Sequence, residues 1–466
     1  MYLSLRSLLA HVSAILWIVS LVHGQLQGPL TPNAWPPGPG QQLASQQPDA
    51  ELTQMLSQID PQRIQAIIEK LVSFGTRNTL SSQTNPNRGI GAARDWIASQ
   101  MRTFATASNG RMNVTVQTFT QGSGGGVPRG TVLSNVFATL KGSENSNRVY
   151  VVSGHYDSRN SNGNDPDGDA PGANDDASGV AVSMELARIM ASKQPRATII
   201  FAAVAGEEQG LVGSAFMAQQ LKNAGIDVQG MLNNDIVGSS TADDGVTKDP
   251  FNIRMFVQGI PPTESASQIA HRVDIGAEND APARQLGRFI AEVGSNSVTN
   301  MTVQPVWRPD RFNRGGDHQS FLEAGFPAVR FTEPNENFAH QHQNVRVENG
   351  VQFGDLPQFC DFEFTARVAK VNGAALWSLA QAPGTPKGVS MNTSGLTNNS
   401  TLSWTGDASA TGYEIVWRAS DEPQWTGVVP VGKVNTAMVR LSKDNAQFGV
   451  RAVGANGYKS PAGFPL

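Results

Sequence analysis

The chain has 466 residues, 39% of them hydrophobic and 16% charged, with a formal net charge of −4. That apolar content builds large cores and excludes a wholly disordered chain, and at about 100–200 residues per domain the length allows two to four domains. No basic tract or RNP-like aromatic motif stands out, which speaks against nucleic-acid binding, and the single cysteine, Cys360, excludes an intrachain disulfide or a Cys-rich zinc knuckle.

Residues 1–24 read as a secretory signal. Arg6 supplies the positive end, residues 8–22 are mostly apolar and uncharged, and Val22-His23-Gly24 precedes an expected cut ahead of Gln25. The apolar run is about 15 residues against the roughly 20 that a spanning helix needs, which favours cleavage over an uncleaved anchor and leaves no membrane span in the mature chain. A secreted location agrees with N-x-S/T sequons at Asn113, Asn300, Asn392, Asn398 and Asn399, each weak alone.

Residues 25–50 are rich in Gln, Pro and Gly without periodicity and read as a flexible spacer or pro-segment. Apolar spacing predicts helices over 51–75 and 88–106. Met112, Val114 and Val116 alternate with polar residues as in a half-buried strand; the alternation fails at Thr118 and Phe119, so an end or bulge is expected there. A second strand is expected over 132–140. Apolar strands over 149–153, 198–204, 230–234 and 328–331 then alternate with helices over 177–190, 214–223 and around Leu286–Val293, and a helical turn over 320–324. Near-continuous apolar strands between helices imply an α/β domain with a mixed, mostly parallel sheet. It spans 51–382. After a linker at Pro383, Gly384 and Pro386, residues 383–466 show short strands and turns, the pattern of a small β-sandwich.

The chemistry lies where the strands end. Residues 149–153 run into Gly154-His155-Tyr156-Asp157-Ser158, residues 198–204 into Gly206-Glu207-Glu208, residues 230–234 into Asp235, and residues 328–331 into Thr332-Glu333, with His340 and His342 beyond. Binding crevices of open α/β sheets lie at these carboxyl ends. Asp175-Asp176 precede a helix and suit N-capping, but two consecutive acids exceed what a cap needs. Two histidines and three carboxylates without a thiolate form a nitrogen and oxygen donor set suited to zinc. A carboxylate bridging two ions would make a two-metal hydrolytic site, and adjacent Glu207 and Glu208 suit a split between base and ligand. Each motif alone has a plainer reading: an HxD hydrogen-bonded pair, a solvated Glu-Glu turn, a capping Asp.

Taken together, GHYDS, GANDDASG, AGEEQGLVGS, NNDIVG and GGDHQSFLEAGFPAVRFTE followed by HQH resemble the co-catalytic dizinc aminopeptidase family over about residues 55–380. The resemblance implies two zinc ions. His155 and Asp235 would hold one, Glu208 and a late histidine the other, and Asp175 would bridge them. Asp157 would orient His155, Glu207 would act as general base, and the Asp175–Asp176 bond would be cis. Setting Asn344 against the Asp that the family has shortly after its last ligand makes His340 the expected histidine, ahead of His342. The terminal region resembles a fibronectin type III domain, through Trp404, GYEIVWR and FGVRAVGANGYKS.

The expected function is a secreted exopeptidase, an aminopeptidase acting on peptides or proteins with a free N-terminus. The run Arg308, Arg311, Arg314 pairs with nearby acids or recognises a substrate carboxylate, and so keeps a metallocarboxypeptidase open. Glutaminyl cyclase and a silent binding protein are further alternatives, disfavoured by the intact DDASG segment and by Glu207. Asp317 and His318 read as structural, and the terminal sandwich as a module for wall, matrix or protein contact.

Overall fold

The computed structural model describes residues 35–122 and 126–466; the signal segment and the first part of the spacer lie outside them. The described chain opens on a two-residue strand, β1 (Gln41–Gln42), followed by the helices Ala50–Leu56 and Pro61–Val72. Each helix starts where an aspartate caps it: Asp49 accepts from Leu52 N and Asp60 from Gln62 N, with Pro61 at the first turn. Ile64, Ile67, Ile68 and Leu71 then form one buried stripe.

After the helix Ile90–Ala105 come β2 (Met112–Thr120) and β3 (Val132–Leu140). β2 pairs with β3 without a register shift through Thr120, so neither the end nor the bulge expected at Thr118 occurs; Phe119 stacks on Phe216 with ring centroids 4.0 Å apart, which anchors that end of the strand. Then follow β4 (Asn145–His155), β5 (Ala197–Val204), β6 (Asp227–Asn234), β7 (Asn252–Val257), β8 (Thr302–Val306) and β9 (Ala328–Thr332). With β2 and β3 they form one eight-stranded sheet, ordered β2-β3-β5-β4-β6-β9-β7-β8. The central four, β5-β4-β6-β9, are mutually parallel, and the outer pairings β2–β3, β3–β5 and β7–β9 are antiparallel. Hence the four strands that carry the polar ends lie side by side and point the same way.

Those strands read as unbroken apolar runs because both faces are covered. Tyr150 and Val152 of β4 enter the larger core, while Val149 and Val151 enter a second core with Met217 and Phe321. The larger core is built on the helices Ala177–Met190, Pro282–Gly294 and Phe362–Gln381. The last of these was not expected from the sequence: nearly every residue from Val371 to Ala380 is buried, so no amphipathic period marks it.

Beyond a short hairpin, β10 (Arg346–Glu348) and β11 (Val351–Phe353), the C-terminal region holds β12 (Lys387–Met391), β13 (Ser400–Thr405), β14 (Ala410–Arg418), β15 (Gly427–Gly432), β16 (Thr436–Val439) and β17 (Gln447–Gly454). They form the sheets β12-β13-β16 and β1-β15-β14-β17, which share a core of Leu402, Trp404, Tyr413, Ile415 and Val450. The described part of the expected spacer is not free. Gln41 and Gln42 pair with Val428 and Gly427, Trp417 Nε1 donates to Pro39 O, and Gln46 bridges Lys459 N and Glu292 Oε1. A segment without periodicity is thereby ordered by strand addition, which leaves no signature in its own sequence. Among the described residues no helix is long and apolar enough to cross a membrane.

Candidate metal centre

The polar strand ends meet over the carboxyl edge of the parallel centre. Close backbone packing sets the register there: a Cβ on Gly179 would lie 2.2 Å from Asn234 O, and one on Gly154 2.4 Å from Gly179 C, so only glycine lets the helix Ala177–Met190 seat against β4 and β6. Asp176 joins these parts. Its carboxylate accepts from His155 N at 2.9 Å, from Gly179 N at 3.0 Å as the helix cap and from Ile236 N at 3.3 Å. The Asp175–Asp176 peptide bond is cis.

Asp175 stands between two histidines. Its Oδ1 lies 3.1 Å from His155 Nε2 and its Oδ2 lies 2.9 Å from His342 Nε2. His342 Nε2 is also 3.1 Å from Glu208 Oε1, and His155 Nε2 is 3.9 Å from Asp235 Oδ1. Donor atoms of His155, Glu207 and Asp235 lie within 4.8 Å of one another, as do those of Asp175, Glu208 and His342. Asp157 sits behind, with Oδ1 3.5 Å from His155 Nδ1, and accepts from the backbone N–H groups of Glu207 and Glu208 at 3.2 and 3.1 Å. One carboxylate thus holds both the imidazole and the Glu-Glu turn, which follows Gly206 at φ +74°.

His340 does not join this group. Its ring stacks on Phe359 with centroids 3.6 Å apart, and His342 takes the expected place. The register misleads because Asn344, matched to the family's aspartate, accepts from Ser161 instead. A later aspartate, Asp355 beyond the β10–β11 hairpin, does reach the site: its carboxylate accepts from Asn174 N at 2.8 Å and Asp175 N at 2.7 Å and so fixes the loop that presents Asp175. Three other contacts were not foreseen. Gln341 Nε2 donates to Asp175 Oδ2 at 3.1 Å. Glu333 Oε2 accepts from Asn174 Nδ2 and Ser239 N. Arg330 Nη2 lies 2.8 Å from Asp235 Oδ1, with its other end on Asp310 Oδ2 at 2.9 Å. A signal for Arg330 existed, an arginine inside an apolar strand; for Asp355 there was none. Asp317 and His318 are fully buried, and Arg311 is held by Asp310 and Glu336.

The donor set fits metal ions. Asp157, Asp175, Asp176, Glu207, Glu208 and Asp235 crowd one site, faced by His155, His342 and Arg330 and, further out, by Arg77 and Arg311. Burial and neighbouring acids push Glu207 well above the usual carboxylate range. Burial opposes charging His342, but Asp175 and Glu208 outweigh it and raise its pKa to about 10. His155 Nε2 and Glu208 Oε1 are buried and make no hydrogen bond, although each has an oppositely disposed donor or acceptor about 3.1 Å away. Buried polar atoms left in this state are costly unless something binds them. Oxygen and imidazole donors without thiolate suit divalent zinc.

A parallel-centred α/β sheet with a carboxylate-bridged pair of donor groups at its carboxyl edge defines the class, and comparison with known proteins narrows it. Residues 135–346 match peptidase family M28. A probable zinc metalloprotease of Pyrenophora teres f. teres is 56% identical, covering 93% of this chain and 90% of that protein. One from Pyricularia oryzae is 57% identical, covering 93% and 88%. The chain belongs to peptidase family M28. The LapA aminopeptidase of Legionella pneumophila shares the fold at 20% identity, with a TM-score of 0.51 over 77% of this chain and 83% of that one.

Proposed function

We propose that this protein is a secreted dizinc aminopeptidase that removes N-terminal residues from peptides. The observation that carries the reading is the Asp175 carboxylate, which offers one oxygen to the His155 side and the other to the His342 side, at 3.1 and 2.9 Å. His155 and Asp235 would hold one zinc, Glu208 and His342 the other, and Asp175 both. The ions, when bound, supply the Lewis acidity that activates water and polarises the scissile carbonyl. Glu207 takes the proton of the attacking water and delivers it to the leaving amine; its half-buried position beside His155 and Asp235 suits that transfer. Asp157 keeps His155 and the Glu207 backbone in place. The C-terminal sheets are proposed as a fibronectin type III-like module for matrix, wall or protein contact.

The test is hydrolysis of leucine p-nitroanilide against its N-acetylated form, with chelator and with zinc added back. Cleavage of only the free amine, lost on chelation and restored by zinc, is expected. Cleavage of both would remove the exopeptidase reading, and cleavage of neither would remove the aminopeptidase one.

A further inference from the structure

Beside the metal centre lies a cavity of about 520 Å³ whose charge is opposite to that of the centre. Arg254, Arg308, Arg311 and Arg314 line it, against Asp243 and Glu336. Glu336 is already engaged, with Arg254 Nη2 3.0 Å from its Oε1 and Arg311 on its Oε2. Arg311 is further held by Asp310. Arg308 and Arg314 have no such partner: among the described residues neither lies within ion-pair distance of a carboxylate, and Arg308 Nε is buried without a hydrogen bond. Arg308 stands over the ring of Phe312, its guanidinium carbon 3.7 Å from the ring centroid, and Phe312, in the cavity lining, is 81% exposed. Stacking orients a guanidinium and leaves its edge free for a planar anion.

The cavity reaches the centre through one side chain. Arg314 Nη2 approaches Gln341 Oε1 at 3.5 Å, and the Nε2 of the same amide donates to Asp175 Oδ2 at 3.1 Å. A peptide lying across Asp175 therefore has a cationic, apolar-rimmed recess next to it.

We infer that Arg308 and Arg314 form a carboxylate-binding subsite, which makes this peptidase prefer substrates bearing an anionic group beside the scissile bond. The inference rests on the aminopeptidase reading and deepens it. The carboxylate has two possible sources, an acidic side chain of the substrate or the C-terminus of a very short peptide. Both present the same planar pair of oxygens to a guanidinium.

The experiment compares matched peptides differing in one carboxylate. Glu is set against Gln at the first residue, then at the second, in C-terminally amidated peptides; a neutral dipeptide is set as free acid against amide. The readout is the ratio of kcat/KM within each pair. A preference for the acid of about tenfold is expected in one arm, carried by KM and reduced at high salt because the partners are part-exposed. The arm that responds identifies the source. In R308Q/R314Q the ratio falls toward one, and R314K retains part of it. A general folding defect would lower both constants and leave the ratio unmoved. Cleavage of the neutral peptides without preference in any arm, or a preference that survives R308Q/R314Q, overturns the inference while leaving the aminopeptidase reading intact. Failure to cleave any of the peptides removes that reading, and the subsite with it.

Discussion

His342 Nε2 lies 2.9 Å from Asp175 Oδ2, whereas His340, two residues earlier, stacks on Phe359 outside the cluster. The two histidines are close in sequence and different in role. His342→Ala is expected to lower bound zinc from about two equivalents to about one, with activity falling to a trace. His340→Ala keeps both equivalents, because it loses a stacking contact and no donor. Metal analysis of the purified variants after dialysis checks this. Loss of zinc in the His340 variant alone would restore the register read from sequence.

Glu207 lies within donor distance of His155 and Asp235, so its role as base rather than ligand needs its own test. Glu207→Gln keeps the shape and removes the proton acceptor. A fall in kcat of roughly 10²–10⁴ is expected, with zinc content unchanged. Zinc loss in that variant would make Glu207 a ligand.

The C-terminal sheets are tied to the α/β part of the chain by a buried charge. Asp280 Oδ1 is 3.1 Å from Arg288 Nη1 and its Oδ2 is 2.6 Å from Arg418 Nη2. Removing the acid leaves two buried guanidinium groups without a counter-charge, at a cost of about 3–5 kcal/mol. Asp280→Asn is expected to lower Tm by several degrees in a calorimeter scan, and the triple change Asp280→Leu, Arg288→Met, Arg418→Met to lower it less.

His318 should make stability fall on acidification. Its Nε2–H donates to Pro309 O at 2.9 Å, and its Nδ1 is buried without a partner, so a second proton has no acceptor. Burial pushes its pKa down to about 4. An unfolded imidazole titrates near about 6.5, so between these values the unfolded chain binds more protons and stability declines as pH falls. The gap corresponds to a loss on the order of 3 kcal/mol once pH has passed below the folded value. His318→Gln carries no such titration. Its Tm should drop less than that of the unsubstituted protein between pH 6.5 and 4.5, and equal drops would contradict the assignment.

Much of this arrangement was legible in the chain. Strands β4, β5, β6 and β9 each end in a polar group, and parallel strands with apolar sides necessarily gather those groups at one edge. What was not legible depends on contacts distant in sequence. The β10–β11 hairpin separates His342 from Asp355, so a short-range motif could not pair them. The helix Phe362–Gln381 is buried almost all round, which erases the period that reveals surface helices. Gln41 and Gln42 form a strand only because β15 offers an edge.

The most direct test of the account is zinc titration of the metal-free protein, with bound metal and hydrolysis of leucine p-nitroanilide followed together. Saturation at two equivalents per chain is expected, with full activity only as the second fills and no cleavage of the N-acetylated substrate at any point. Full activity at one equivalent, or activity that persists without metal, would contradict the dizinc centre built around Asp175.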